Sequence, residues 1–358
     1  MSSYSVASFF AGAGGLDLGF RNAGFLIPWA NEYDTSIHAT YSLNHPECQL
    51  ERRSLTKFEP DEVPKDVMGM IGGPPCQSWS EAGMLRGAED RRGQLFFRYV
   101  EFVEAIRPTF FLAENVSGIL FSRHRTAFED ILRRFCQLGY NVSYGLLNAN
   151  DYGVPQTRER VIIVGYRMRE DKFFVPGRPP KKDEPRPTLQ DVIGDLAGSA
   201  RPAKNKTFAN EDLEIPNHEY LDSGYSTIYM SRNRIRRWDQ PSFTIQAGGR
   251  HAPLHPGSPP MEKVEKDVMR FAVGREGEYR RLTVREAAAV QTFPDDFVFS
   301  YRNVLDGYKM IGNAVPVKFA ESLARVIHDD LRKGEHMRRD VERVGDLRTF
   351  QELWEDEQ

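Results

Sequence analysis

The sequence predicts an α/β fold in which a doubly wound, mostly parallel sheet is joined to a smaller irregular domain. Three observations carry that expectation. Residues 4–166 alternate short apolar runs with amphipathic stretches, the rhythm of βα units. A glycine turn, Phe10-Ala-Gly-Ala-Gly-Gly15, separates the first apolar run from the first amphipathic one. Five prolines between Pro176 and Pro187 then break the rhythm.

Taken in order, strands are expected at Tyr4–Phe10, Phe25–Asn31, Val67–Ile71, Thr109–Ala113 and Val161–Tyr166. Leu16–Ala23 reads as a helix stopped by Gly24, and Leu95–Ile106 as one stopped ahead of Pro108. From Pro176 to Ser300 the chain is rich in Gly, Pro and Arg and reads as loops with short strands. A last helix, Val317–Leu331, follows a turn at Gly312-Asn313. The expected division is 1–172 with 301–334 in the sheet domain, 173–300 in the second domain, and 335–358 as a charged tail that is helical or disordered.

A chain of 358 residues suits two domains. No apolar run approaches the ~20 residues that span a bilayer, and the first residues lack the basic lead-in of a signal peptide, so a cytoplasmic monomer is expected. Cys48, Cys76 and Cys136 are odd in number and far apart, which offers neither a disulfide framework nor a CxxC zinc pair; no metal is expected. A net charge of −3 argues against nucleic acid until its distribution is read. Residues 226–250 hold five arginines against one acid, Asp239, while 335–358 hold eight acids against four arginines. The tail's acidity masks a basic body.

Four segments carry candidate chemistry. The glycine turn lets a nucleotide approach bare backbone, but the dinucleotide pattern GxGxxG from Gly12 requires glycine where Asp17 stands, which favours a nucleoside instead. Glu32, at the end of the second strand, is placed to accept from ribose hydroxyls or to cap a helix, and Tyr33 to stack on adenine. Gly72-Gly-Pro-Pro-Cys-Gln-Ser-Trp-Ser80 follows the Val67–Ile71 strand, where open sheets bind ligands, so Cys76 is either a nucleophile facing a cleft or an inert small side chain. Glu114-Asn-Val116 closes an apolar run, and Gln156-Thr-Arg-Glu-Arg160 puts two arginines at i and i+2.

Together these segments, with Arg-Arg-Leu-Thr-Val-Arg-Glu at 280–286 and Gly-Asn-Ala-Val at 312–315, resemble the bacterial DNA cytosine-5 methyltransferase family over residues 4–331. The resemblance implies a Rossmann-like domain that binds S-adenosylmethionine, with 173–300 as the target-recognition domain. It makes Cys76 the nucleophile on C6 of a flipped cytosine, Glu114 the acid at N3 and the amine, and Arg160 with Arg158 the holders of the base carbonyl. Phe10, Gly12, Gly14, Leu16, Glu32, Tyr33, Ser54, Asn313 and Val315 map onto the cofactor side. Ser54 stands where the family commonly has an aspartate facing the adenine amine, leaving a backbone group or Asp66 to replace it. Ser78 to Gly93, with Gly83 and Gly87, resembles the mobile catalytic loop, and Ser80 is assigned to DNA.

The segments 216–220, 225–234 and 243–250 are similar to those of GGCC-specific members, which makes Arg232, Arg234 and Arg250 the expected guanine readers on double-stranded DNA. A restriction-modification role, with a cognate endonuclease as partner, follows from the same resemblance. His251, Ala252 and Pro253 depart from that pattern. An RNA cytosine methyltransferase is the nearest rival, disfavoured by the long recognition segment. A silent DNA-binding regulator is disfavoured by the joint presence of Cys76, Glu114 and Arg160.

Overall fold

The computed structural model describes residues 4–75, 93–167, 172–181, 183–196, 198–210, 212–333 and 344–356. All five expected strands form. Along the first half run β1 (Ser5–Phe9), α1 (Gly15–Asn22), β2 (Leu26–Asn31), α2 (His38–Asn44), β3 (Gln49–Glu51), β4 (Gly69–Gly72), α3 (Gly93–Ile106), β5 (Phe110–Val116), α4 (Arg125–Gln137), β6 (Asn141–Asn148) and β7 (Glu159–Tyr166). With β8 (Leu347–Thr349) they build one eight-stranded sheet ordered β8-β6-β7-β5-β4-β1-β2-β3. Its pairings are parallel except those of β7, which runs antiparallel to both β5 and β6.

The apolar runs are continuous because both faces of the sheet are covered. On β5, Phe111 and Ala113 pack under α3 and α4, with Phe96, Tyr99 and Ile131. Phe110 and Leu112 point the other way, toward Leu16 and Phe20 of α1 and Phe319 and Leu323 of the long helix α8 (Val317–Lys333, after α5 to α7 below). β5 reaches three residues beyond its expected end and β7 starts two before its expected start, so Glu114 and Arg160 sit inside strands rather than beyond or ahead of them.

β6 and α4 were not expected. Gly145 interrupts the apolar run of β6, and a Cβ there would lie 2.6 Å from the Phe350 ring, so close packing requires glycine. The second half contains α5 (Leu189–Ile193), α6 (Val284–Val290) and α7 (Val304–Asn313). α6 starts in a capping box, in which Thr283 Oγ accepts from the Glu286 amide and Glu286 Oε2 from the Thr283 amide, both at 2.9 Å. Gly312-Asn313, expected to be a turn, is the end of α7, whose first turn is capped by Asn303.

Two expected boundaries have no counterpart in the packing. One apolar cluster joins Leu189, Ile193, Leu282, Val284 and Phe299 to Val304, Tyr308, Ile311 and Val317, so the core runs across residue 300 unbroken. The end of the charged tail does not stand apart either: β8 extends the main sheet, and α9 (Phe350–Asp356) follows it.

Candidate active site

The register sets the site. Phe9 pairs with Asn31 and Gly72, Gly72 with Ala113, and Val116 with Arg160, so β1, β2, β4 and β5 end where the reversed β7 begins. A concave edge of a parallel sheet is where such folds bind ligands.

At the β1 end, Phe10, Gly12 and Gly14 adopt positive φ of 54°, 58° and 87°. A Cβ on Gly14 would lie 2.1 Å from His45 Nε2, and one on Gly15 2.4 Å from the Val315 carbonyl oxygen. On Gly12 it would meet nothing within 4 Å. The first two glycines are therefore demanded by packing, and Gly12 by its φ and the open space in front of it. The Glu32 carboxylate accepts from the amides of Gly12 at 2.9 Å and Asp34 at 2.8 Å, so it braces the turn instead of capping a helix. Burial pushes its carboxyl up from the ordinary carboxylate range. Tyr33 beside it is 62% exposed, and Asp34 pairs with Lys309 of α7. Leu16 is buried beneath the turn; Val315 is buried with its carbonyl against Gly15, and Asn313 is exposed at the end of α7.

Under the turn lies a polar floor that the sequence did not advertise. Asp17 is fully buried and accepts from Ser8 Oγ at 2.5 Å and the Tyr41 hydroxyl at 2.6 Å. Burial pushes its carboxyl up to about 6, against those two hydrogen bonds. Tyr41 stacks on His45 at 4.5 Å between ring centroids. Ser54 caps the one-turn 3-10 segment Leu55–Lys57. Asp66 does not replace it: the Asp66 carbonyl accepts from Ser5 Oγ, at the opposite end of β1 from Phe10.

At the β4 and β5 ends, Asn115 Nδ2 donates to the Pro74 carbonyl at 3.1 Å, tying the Gly73-Pro-Pro75 segment to β5. Cys76, Ser80, Gly83 and Gly87 lie outside the described residues, and Gly93 opens α3. Glu114 Oε1 lies 2.8 Å from Arg160 Nε, with both side chains only about a tenth exposed. A Cβ on Gly73 would approach Glu114 Oε2 to 3.2 Å, so glycine there leaves that oxygen room.

The two arginines of the 156–160 segment part company. Arg158 is 1% exposed and donates to the carbonyls of Ile245 and Gly312 at 2.9 Å and Ala314 at 3.0 Å. Burial, and after it the nearby Arg160 charge, lowers its pKa from the guanidinium norm, with the Glu114 charge acting the other way. It clamps the frame, while Arg160 faces Glu114. Gln156 does similar work, donating to Gln291 Oε1 and accepting from the Ile245 amide.

The three arginines of the basic segment divide likewise. Arg234 is buried, with Nε on the Tyr229 carbonyl at 2.8 Å, Nη2 on that of Ile228 at 3.1 Å, and its guanidinium 4.6 Å above the Tyr229 ring. Arg232 and Arg250 are exposed. A cleft of about 200 Å³ opens between Arg232, Arg234, Phe243, Gln246 and His251, with Arg236 stacked 4.1 Å behind Phe243. Such a lining of cations, an aromatic face and amides suits nucleic acid. Among the described residues no cluster of three or more His, Cys, Asp or Glu side chains is arranged to hold a metal, and no helix is long and apolar enough to cross a membrane.

Comparison with known proteins agrees with this geometry. The family described as C-5 cytosine-specific DNA methylase matches residues 4–329. The chain is 50% identical over 329 residues to the Type II methyltransferase M.NgoPII of Neisseria gonorrhoeae, covering 92% of this chain and 96% of that one. It is 52% identical over 327 residues to the Type II methyltransferase M.MthTI of Methanothermobacter thermautotrophicus, covering 91% and 97%. Among solved structures, the Entamoeba histolytica methyltransferase EhMeth shares the fold with a TM-score of 0.68 at 16% identity, covering 92% of this chain and 99% of that one.

Proposed function

The chain belongs to the C-5 cytosine-specific DNA methylases, and from that premise we propose that it methylates the inner cytosine of GGCC as the modification half of a restriction-modification system. Family membership makes it a DNA cytosine-5 methyltransferase; the sequence it reads and the residue roles below are our reading. The observation that carries the chemistry is the Glu114–Arg160 pair, set beside the Pro74 segment that leads in sequence to Cys76; the target reading is supported by the exposed Arg232 and Arg250 of the basic segment.

In this reading Cys76 supplies a thiolate that adds to C6 of an extruded cytosine. Electrons move from the C5–C6 double bond toward N3 and O2, where Arg160 supports the carbonyl oxygen and Glu114 meets N3 and the amine. C5 becomes nucleophilic. Once C5 has taken a methyl group from bound S-adenosylmethionine, it gives up its proton to water, and departure of the Cys76 thiolate restores the C5–C6 double bond. Neither partner of the pair needs to travel, because two neighbouring strands hold them.

The residues present fit S-adenosylmethionine: Gly12 opens a cradle that a Cβ would fill, and Glu32 is fixed against it. When bound, the cofactor supplies an electrophilic methyl group. Phe10, Gly12, Gly14, Leu16 and Val315 shape the cradle, Glu32 is offered to ribose hydroxyls, Tyr33 to adenine, and Ser54 and Asn313 to its rim. Residues 173–300 carry target recognition, with Arg232 and Arg250 free to read guanines and Arg234 holding their platform. The DNA, the cognate endonuclease and a monomeric state belong to the same proposal.

Bisulfite sequencing of a plasmid propagated in cells expressing the protein tests it. Methylation at the inner cytosine of GGCC is expected, and 5-methylcytosine confined to other sites would overturn the target. Duplex containing 5-fluorocytosine, incubated with S-adenosylmethionine, should trap wild-type protein covalently, because C5 then has no proton to lose, and should leave Cys76→Ser free.

A further inference from the structure

The C-terminal end docks on the sheet as a separate piece. Leu347, Arg348 and Thr349 pair in parallel with Val142, Ser143 and Tyr144, at the flank of β6 away from β7. The Val142 amide donates to the Asp346 carbonyl at 2.8 Å and the Gly345 amide to the Cys136 carbonyl at 2.7 Å. Phe350 is 1% exposed and fills the space over Gly145 beside Phe174, and Trp354 Nε1 donates to the Pro176 carbonyl at 2.9 Å. Arg178 returns a bond to the Trp354 carbonyl. The family match ends at residue 329, before residues 345–354 of the docked piece but after every residue of the sheet that receives it.

Two features mark this as a fitted seat. Gly145 and Gly345 are the only sizes the contact accepts: a Cβ on Gly145 would strike Phe350, and one on Gly345 would come 1.8 Å from the Tyr140 carbonyl oxygen. The piece also covers Cys136, which is 7% exposed with Sγ 3.7 Å from the Asp346 carbonyl. Without it, β6 would present a row of unpaired backbone groups and an empty apolar slot, the combination that recruits strands from other chains.

We infer that residues 344–356 form a strand–helix clip that occupies a strand-accepting seat along β6, and that a second copy of this chain takes that seat when the clip is absent. The clip also pins residues 174–178, where the chain leaves the sheet for the recognition half. None of this depends on which sequence is methylated.

The test uses a chain ending at Lys333 and the full-length variant Gly345→Ala, which adds one methyl at the tightest point and alters no residue of the seat. Maleimide labelling of Cys136, mapped by mass spectrometry, reads clip release; light scattering after size exclusion reads association. Labelling at least tenfold faster in both variants is expected, with the truncated chain self-associating and a synthetic peptide of residues 344–356 restoring protection and the monomer. Cys136 labelling at the wild-type rate in Gly345→Ala overturns the clip, and that arm decides alone if the truncated chain does not fold. Self-association that excess peptide fails to reverse overturns the seat.

Discussion

Exchange of Arg158 for methionine separates frame from chemistry within a single motif. Methionine occupies a comparable apolar volume and donates nothing to the carbonyls of Ile245, Gly312 and Ala314. At about 1 kcal/mol net per hydrogen bond, the three losses come to ~3 kcal/mol. Unpaired buried carbonyls push that figure up, and relief of a guanidinium held, among the described residues, without a contacting carboxylate pushes it down. For a chain of this size ~3 kcal/mol corresponds to a melting point lower by roughly 5 °C. Calorimetry of Arg158→Met and Arg160→Met, paired with single-turnover methylation of each at 10 °C below its own transition, makes the comparison. Arg158→Met should melt early and retain turnover within about tenfold; Arg160→Met should melt closer to wild type and lose turnover by a hundredfold or more, about 2.7 kcal/mol. If Arg158→Met melts with wild type and is inactive, its side chain serves the reaction and the division of roles is wrong.

Gly12→Ala, at φ +58° and facing open space, should cost about 1 kcal/mol of stability yet weaken S-adenosylmethionine binding at least tenfold by calorimetry; unchanged affinity would place the cofactor elsewhere. Asp17 titrates at about 6 when folded and near 3.8 when unfolded, so the native state binds its proton more tightly, and the stability this contributes is full below pH 4 and lost as pH rises through 6. Asp17→Asn removes that dependence: its stability relative to wild type, followed by melting, should climb between pH 4 and 6 and level off above, by at most ~3 kcal/mol, and a flat difference would show that the buried carboxyl is not raised. Arg232→Ala should leave melting unchanged and relax discrimination at one base pair by roughly 10- to 100-fold, whereas Arg234→Ala should lower melting and weaken all sequences alike. Competition assays on GGCC and its single-base variants distinguish the two, and swapped behaviour would refute the assignment of Arg234 to the platform.

Much of the sheet was legible because strands buried on both faces leave unbroken apolar runs, as at Phe110 to Ala113. β6 was hidden because Gly145 interrupts its run, for a reason that lies two hundred residues downstream in Phe350. α6 had a signal that went unread, the Thr-x-x-Glu capping box at 283–286. In the site, Glu32 and the glycine turn were placed by motif, and the Glu114–Arg160 contact was anticipated as a set of residues. The separation of Arg158 from Arg160 was not, since i and i+2 share a face only inside a strand, and β7 begins at Glu159. The floor of Ser8, Asp17, Tyr41 and His45 has no local pattern, because its members meet only through packing.

The Gly15 contact with the Val315 carbonyl, and the Arg158 bonds to Gly312 and Ala314, impose an order in time. The sheet's β1 to β7 are complete by residue 166, but the wall that closes the glycine cradle is translated about 150 residues later, on the order of 10 to 30 s at ordinary rates of synthesis. A nascent chain thus holds the Glu114–Arg160 strands well before it can close the glycine turn. Chains cut short before Gly312 hold the Glu114–Arg160 strands without the carbonyls that anchor Arg158 and close against Gly15.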